Sequence, residues 1–128
     1  MMKKVITLLL LTSMVLTGTI VETHAASYLS CSIGASQTIS KSSEQILPPS
    51  GQHFTTNSNA SNKYLYSEIY RNDPFPIPDT LISQLYISVG GSGTNYVTRI
   101  NTSTKHYMEL NPAGPSYSGC IGSGVLYF

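Results

Sequence analysis

The chain has 128 residues with seven Lys or Arg and six Asp or Glu, a formal net charge of +1, and only 10% of its residues are charged. That balance leaves no basic excess for nucleic acid or an anionic membrane, and the length excludes a large multidomain enzyme. Nine Tyr, set among frequent Ser, Thr and Asn and separated by turn formers, make a β-protein composition.

Lys3 and Lys4 precede an apolar run over 5–20, and Thr23 and Ala25 stand at the small-residue positions of an A-x-A-like cleavage site. Residues 1–25 are therefore expected to be a secretory signal peptide and 26–128 a single secreted domain without integral membrane insertion. The run is shorter than the roughly 20 apolar residues of a spanning helix and is diluted by Thr12, Ser13, Thr17 and Thr19. Export implies oxidising surroundings, so Cys31 and Cys120 are expected to form one disulfide. Closing an 89-residue separation, it would add roughly 4 to 5 kcal/mol through chain entropy.

Cys31, Ile33, Ala35 and Ile39 form a period-two stripe that predicts a first strand. The run Pro48, Pro49, Ser50, Gly51 ends that region, 52–56 reads as a short strand, and 57–62 as an exposed polar loop. Over 64–71, Leu65, Ser67 and Ile69 alternate with Tyr64, Tyr66, Glu68 and Tyr70, the pattern of a half-buried strand with aromatic residues on its second face.

Pro74, Pro76 and Pro78 remove donors and fix φ, so 72–78 is expected to be an extended, polyproline-like connection outside any central strand. Residues 81–89 and 95–100, with Gly90, Gly91 and Gly93 between them, predict a hairpin, and 105–110 a third strand of the same meander. The final strand, 117–128, is interrupted by Gly119, Gly122 and Gly124, which predicts a bulge or a close backbone approach, and it is read as a sandwich edge.

Six or seven short strands with no helical stripe predict a small antiparallel β-sandwich or jelly-roll-like domain. Its expected core is Ile33, Leu65, Ile69, Leu85, Ile87, Val89, Val97, Ile100, Met108, Leu110 and Val125.

The chemical inventory is thin. No Ser stands in a G-x-S-x-G frame, and His53 and His106 have no partner that the sequence identifies. A catalytic pair of Cys120 and His106 needs a reduced thiol, which the expected bridge removes. With both Cys committed, two His do not make a zinc site. Asp73 and Asp79 lack the D-x-[DN]-x-[DN]-G pattern of a calcium loop and are read as solvated carboxylates, so no metal and no cofactor is expected.

What remains is binding. Tyr64, Tyr66 and Tyr70, joined by Tyr86, Tyr96 and Tyr107 from neighbouring strands, make either an exposed aromatic platform or the ordinary aromatic positions of a two-sheet core. Pro74, Phe75 and Pro76 make either a rigid loop presented to a partner or a crossover between sheets. The sequence thus predicts a non-enzymatic secreted domain that binds an extracellular protein or polysaccharide, or another cell-envelope component, through these tyrosines or this loop. The alternative is a secreted effector, either an antimicrobial or toxin-like protein or a protease inhibitor presenting 74–78.

Overall fold

The computed structural model describes residues 28–113 and 117–128; the expected leader, 1–25, lies outside them. The described residues form nine strands and no helix: β1 (Tyr28–Ile33), β2 (Ser40–Lys41), β3 (Gln45–Ile46), β4 (Gly51–Asn57), β5 (Leu65–Arg71), β6 (Thr80–Ile87), β7 (Ser92–Val97), β8 (Lys105–Pro112) and β9 (Gly122–Tyr127). Among them no helix is long and apolar enough to cross a membrane. Pairing is antiparallel throughout, in a four-stranded sheet ordered β1-β9-β4-β7 and a second sheet ordered β2-β8-β5-β6, with β3 also on β8. The predicted all-β antiparallel sandwich is what the chain builds.

The alternation over β5 holds. Leu65, Ser67 and Ile69 are fully buried between the sheets, and Tyr66 and Tyr70 lie on the outer face. Leu65 joins a cluster with Ile33, Ile87, Leu110 and Cys120, while Ile69 joins Leu29, Leu47, Val97, Met108 and Leu126. Ser67 stands between the two clusters. There His53 of β4 holds Ser83 through Nδ1 and Ser67 through Nε2, each at 2.8 Å, and the Thr55 hydroxyl donates to Ser67 at 2.6 Å. Opposite Ser67 the sheets approach so closely that a Cβ on Gly124 would come within 2.7 Å of Met108 Sδ, which accounts for that glycine as a close-approach position.

Several sequence expectations are corrected. The residues after β6 do not turn back as a hairpin. Ser88–Gly91 is bonded to the end of β4, with Asn57 donating its N–H to Gly91 O at 2.9 Å and its amide to Ile87 O at 3.1 Å. The chain thereby crosses to the other sheet, where β7 pairs with β4, and it crosses back for β8. The proline segment is not a crossover but the hairpin loop between β5 and β6, and it is turned rather than extended, with Ile77 N–H donating to Pro74 O at 2.9 Å. β9 is an interior strand, not an edge. The pleat of β9 turns Gly124 and Leu126 inward and leaves Val125 on the outer side; Val89 is exposed, and Leu29 and Leu47 enter the core unpredicted.

Cys31 and Cys120 are free thiols, not a bridge. Register explains this: Cys31 lies opposite Gly124, four residues along the chain from Cys120. Cys120 itself precedes β9, where its thiol turns to the Lys63 carbonyl instead of toward β1. Each thiol has its own partner, Cys31 Sγ donating to Ser40 Oγ at 3.2 Å and Cys120 Sγ to Lys63 O at 3.1 Å. Burial pushes both thiols up from the ordinary cysteine range.

Candidate binding face on the outer side of the second sheet

Pleating places Tyr66, Glu68 and Tyr70 of β5 on one outward face, and register decides what stands beside each. Tyr66 is opposite Tyr86 of β6 and Asn111 of β8; Glu68 is opposite Gln84 and Glu109; Tyr70 is opposite Leu81 and Tyr107. Three cross-strand rows result, an aromatic row at each end and a row of carboxylates and an amide between them.

At one end Tyr86 is held between two rings, its centroid 4.6 Å from that of Tyr64 and 4.5 Å from that of Tyr66, with interplanar angles of 25° and 30°. Offset stacks in this range are favourable, yet the stack stays open to solvent: Tyr64 is 45% and Tyr86 54% exposed. At the other end Tyr70 stacks on Tyr107 at 5.5 Å. The Tyr107 hydroxyl donates to Asp79 at 2.6 Å, which ties this end to the β5–β6 loop. Burial pushes the Tyr70 hydroxyl up to about 12, helped by the negative charges of Glu68 and Glu109.

Between the aromatic ends runs a shallow groove of about 410 Å³ lined by Ile39, Tyr66, Glu68, Tyr70, Gln84, Glu109 and Asn111. Glu68 is almost wholly buried in its floor. Its Oε2 accepts from the Gln84 amide at 2.8 Å and its Oε1 from the Asn111 amide at 3.2 Å. Lys41 reaches Glu109 at 3.5 Å from the rim and lies 5.5 Å from the Tyr107 ring centre.

Tyr64, Tyr66 and Tyr70 thus come together on one exposed face rather than in the core, with Tyr86 and Tyr107 beside them. Tyr96 is not part of it: it sits on β7 in the other sheet, its hydroxyl donating to Ser50 at 3.2 Å. Glu68, Gln84, Glu109 and Asn111 were not singled out from the sequence. A carboxylate at the centre of an alternating aromatic strand is the signal that was available for Glu68; the others depend on strand partners.

Pro74, Phe75 and Pro76 occupy the tip of the β5–β6 hairpin, apart from the groove. The base of this loop is braced: Asp73 accepts from Arg71 at 2.7 Å and from the Thr80 hydroxyl, and its N–H donates to Asp79 at 3.0 Å. The Asp73 carboxyl is held below the usual range by the Arg71 and Thr80 hydrogen bonds. The tip is apolar and bare, Phe75 being 97% exposed. Asp73 and Asp79 are brought close as the calcium reading would need, but their oxygens serve Arg71, Thr80, Tyr107 and a backbone N–H. No group of three or more acidic, His or Cys side chains placed to hold a metal occurs among the described residues.

The two histidines are away from this face. His53 with Ser67, Ser83 and Thr55 has the hydrogen bonds of a base and its hydroxyls, but it is sealed between the sheets, where a substrate has no access. His106 is also buried, its Nδ1 2.8 Å from Thr104 O, and the Cys120 thiol faces the carbonyls of Lys63 and Tyr64 rather than an imidazole.

No family model matches the chain, and comparison with curated proteins finds no relative. Among solved structures it is similar to the K3 adhesin domain of Lys-gingipain from Porphyromonas gingivalis, at 15% identity and a TM-score of 0.43 over 70% of this chain and 63% of that domain. It is also similar to a chitosan-binding module of a chitosanase/glucanase from Paenibacillus sp. IK-5, at 10% identity and 0.42 over 77% and 76% of the two chains. A third similarity is to murine APRIL, at 8% and 0.43 over 79% and 98%. The chain spans less than two thirds of the length of the gingipain domain it matches.

Proposed function

We propose that the protein is a secreted, non-enzymatic binding domain that takes a saccharide of the cell envelope or its surroundings on the outer face of the second sheet. The observation that carries this reading is the solvent-open stack Tyr64–Tyr86–Tyr66 beside a hydrogen-bonding floor. A pyranose presents a face of C–H bonds and a rim of hydroxyls. Tyrosine rings suit the first, and Glu68, Gln84 and Asn111 suit the second. The stack is preorganised, so little rotamer entropy is lost on binding. Tyr86→Ala removes the central ring without touching the core, and affinity electrophoresis through a neutral glucan, a galactan and peptidoglycan fragments tests it. The wild-type chain is expected to be retarded by at least one of these and Tyr86→Ala at least about tenfold less; a wild-type chain retarded by none overturns the reading.

The second reading, a secreted effector acting through 74–78, is favoured by one observation, the bare Phe75 ring on a braced hairpin. That geometry suits insertion of one apolar ring into a partner's pocket better than an extended segment laid along a protease cleft.

A further inference from the structure

Stacking a neutral sugar leaves part of the face unused. Register sets the carboxylates of Glu68 and Glu109 directly opposite one another on adjacent strands, an arrangement that costs stability when both are charged. Among the described residues it is offset only in part. The groups on Glu68 are the amides of Gln84 and Asn111, which orient the carboxylate but bring no charge. Among the described residues the cation paired with Glu109 is Lys41, whose side chain is half exposed at the rim. The groove floor thus carries more negative charge than its surroundings neutralise. Asn111 is itself 6% exposed and directs its amide N–H groups at Glu68 and Glu109, and among the described residues no donor reaches its buried Oδ1. Tyr66 and Tyr70 line opposite ends of the same groove, each stacked on a second ring, and aromatic faces attract cations.

We infer that this groove recognises a primary ammonium group, and that the saccharide taken by this face is an amino sugar with a free amine, an inference that rests on the saccharide reading above. An ammonium brings three donors and one positive charge. The groove offers two carboxylates that share one lysine, set between aromatic walls. A quaternary ammonium has no donors for these acceptors. A calcium ion takes roughly six to eight oxygens, and no group of three or more metal-ligating side chains occurs among the described residues.

The test compares a glucosamine oligomer, an N-acetylglucosamine oligomer of equal length and a neutral glucan oligomer, titrated into the full chain near pH 6 and followed by calorimetry. The free-amine oligomer is expected to bind at least about tenfold more tightly than its acetylated counterpart, and the preference to shrink as salt is raised. Glu109→Gln is expected to abolish the preference while leaving the affinity for the neutral oligomer within about twofold, whereas Glu68→Gln is expected to abolish the preference and to weaken the neutral oligomer as well, since Glu68 also orients the Gln84 and Asn111 amides. Glu109 is the safer substitution for the fold, since its partners are Lys41 and the Asn111 amide, and thermal melts of both variants check that they fold. Equal affinity for the free and acetylated oligomers, or a preference that survives both Glu→Gln changes, overturns the ammonium inference and leaves the saccharide reading standing. Preferential binding of polylysine over the glucosamine oligomer overturns it in favour of a protein partner. Failure of every saccharide, neutral or cationic, removes both readings together.

Discussion

His53 sits with both ring nitrogens on hydroxyls and no carboxylate among its partners, between two sheets. Burial lowers its pKa from the ordinary 6.5 to about 4, so the folded state holds the neutral ring while the unfolded chain takes up a proton over that interval. Stability contributed by the neutral ring is therefore complete above about pH 6.5 and lost as pH falls toward 4, by about 3 kcal/mol in all. His106, also depressed chiefly by burial, acts in the same direction. Denaturant midpoints measured from pH 7 to pH 4 should fall steadily in the wild type and less steeply in His53→Gln; parallel curves would show that the ring is not what titrates. On β4 the hydrophobic pattern misleads, because His53 and Thr55 face the core while Phe54 faces solvent. Those inward polar groups are tolerated because Ser67 and Ser83 lie across from them, a complementarity that no single strand reveals.

The β5–β6 hairpin joins a braced base to an unbraced apolar tip. Phe75 touches almost nothing, so Phe75→Ala should change stability by less than about 0.5 kcal/mol. Asp73→Ala removes acceptors from Arg71 and Thr80 together, and should lower the melting temperature and speed amide exchange in 72–80. If both variants melt with the wild type, the base is not braced as described; if Phe75→Ala alone abolishes an inhibitory or toxic effect of the chain, the second functional reading gains its contact. At this scale the alternation in β5 was legible, since pleating ties each residue's face to its position. The nature of the connections was not: the proline loop makes a hairpin and the glycine turn makes a crossover. Proline excludes a central strand but not a tight loop beside one. The glycine turn is decided by Asn57, thirty residues away from Ile87 in sequence.

For the molecule as a whole, stability rests on two apolar clusters joined by the His53 network rather than on a covalent staple. Thiol titration of the folded chain should find Cys120 protected, two thiols should react after unfolding, and reductant should leave the melting temperature unchanged. A melting temperature that drops on reduction would instead reveal the bridge expected from composition. That expectation drew on compartment and cysteine count alone, and neither carries the register that sets Cys31 against Gly124.

By itself the sequence determined the class of fold and the makeup of each face within a strand, because turn formers delimit strands and the pleat alternates side chains. That was enough to group Tyr64, Tyr66 and Tyr70 with Glu68. Tertiary structure alone decided that this face looks outward, that Tyr86 enters between Tyr64 and Tyr66 while Tyr96 goes to the other sheet, and that Glu109 and Asn111 stand beside Glu68. The reason is physical: period-two alternation fixes the face of a residue, but its neighbours across the sheet depend on strand order and register, which are set by contacts distant in sequence.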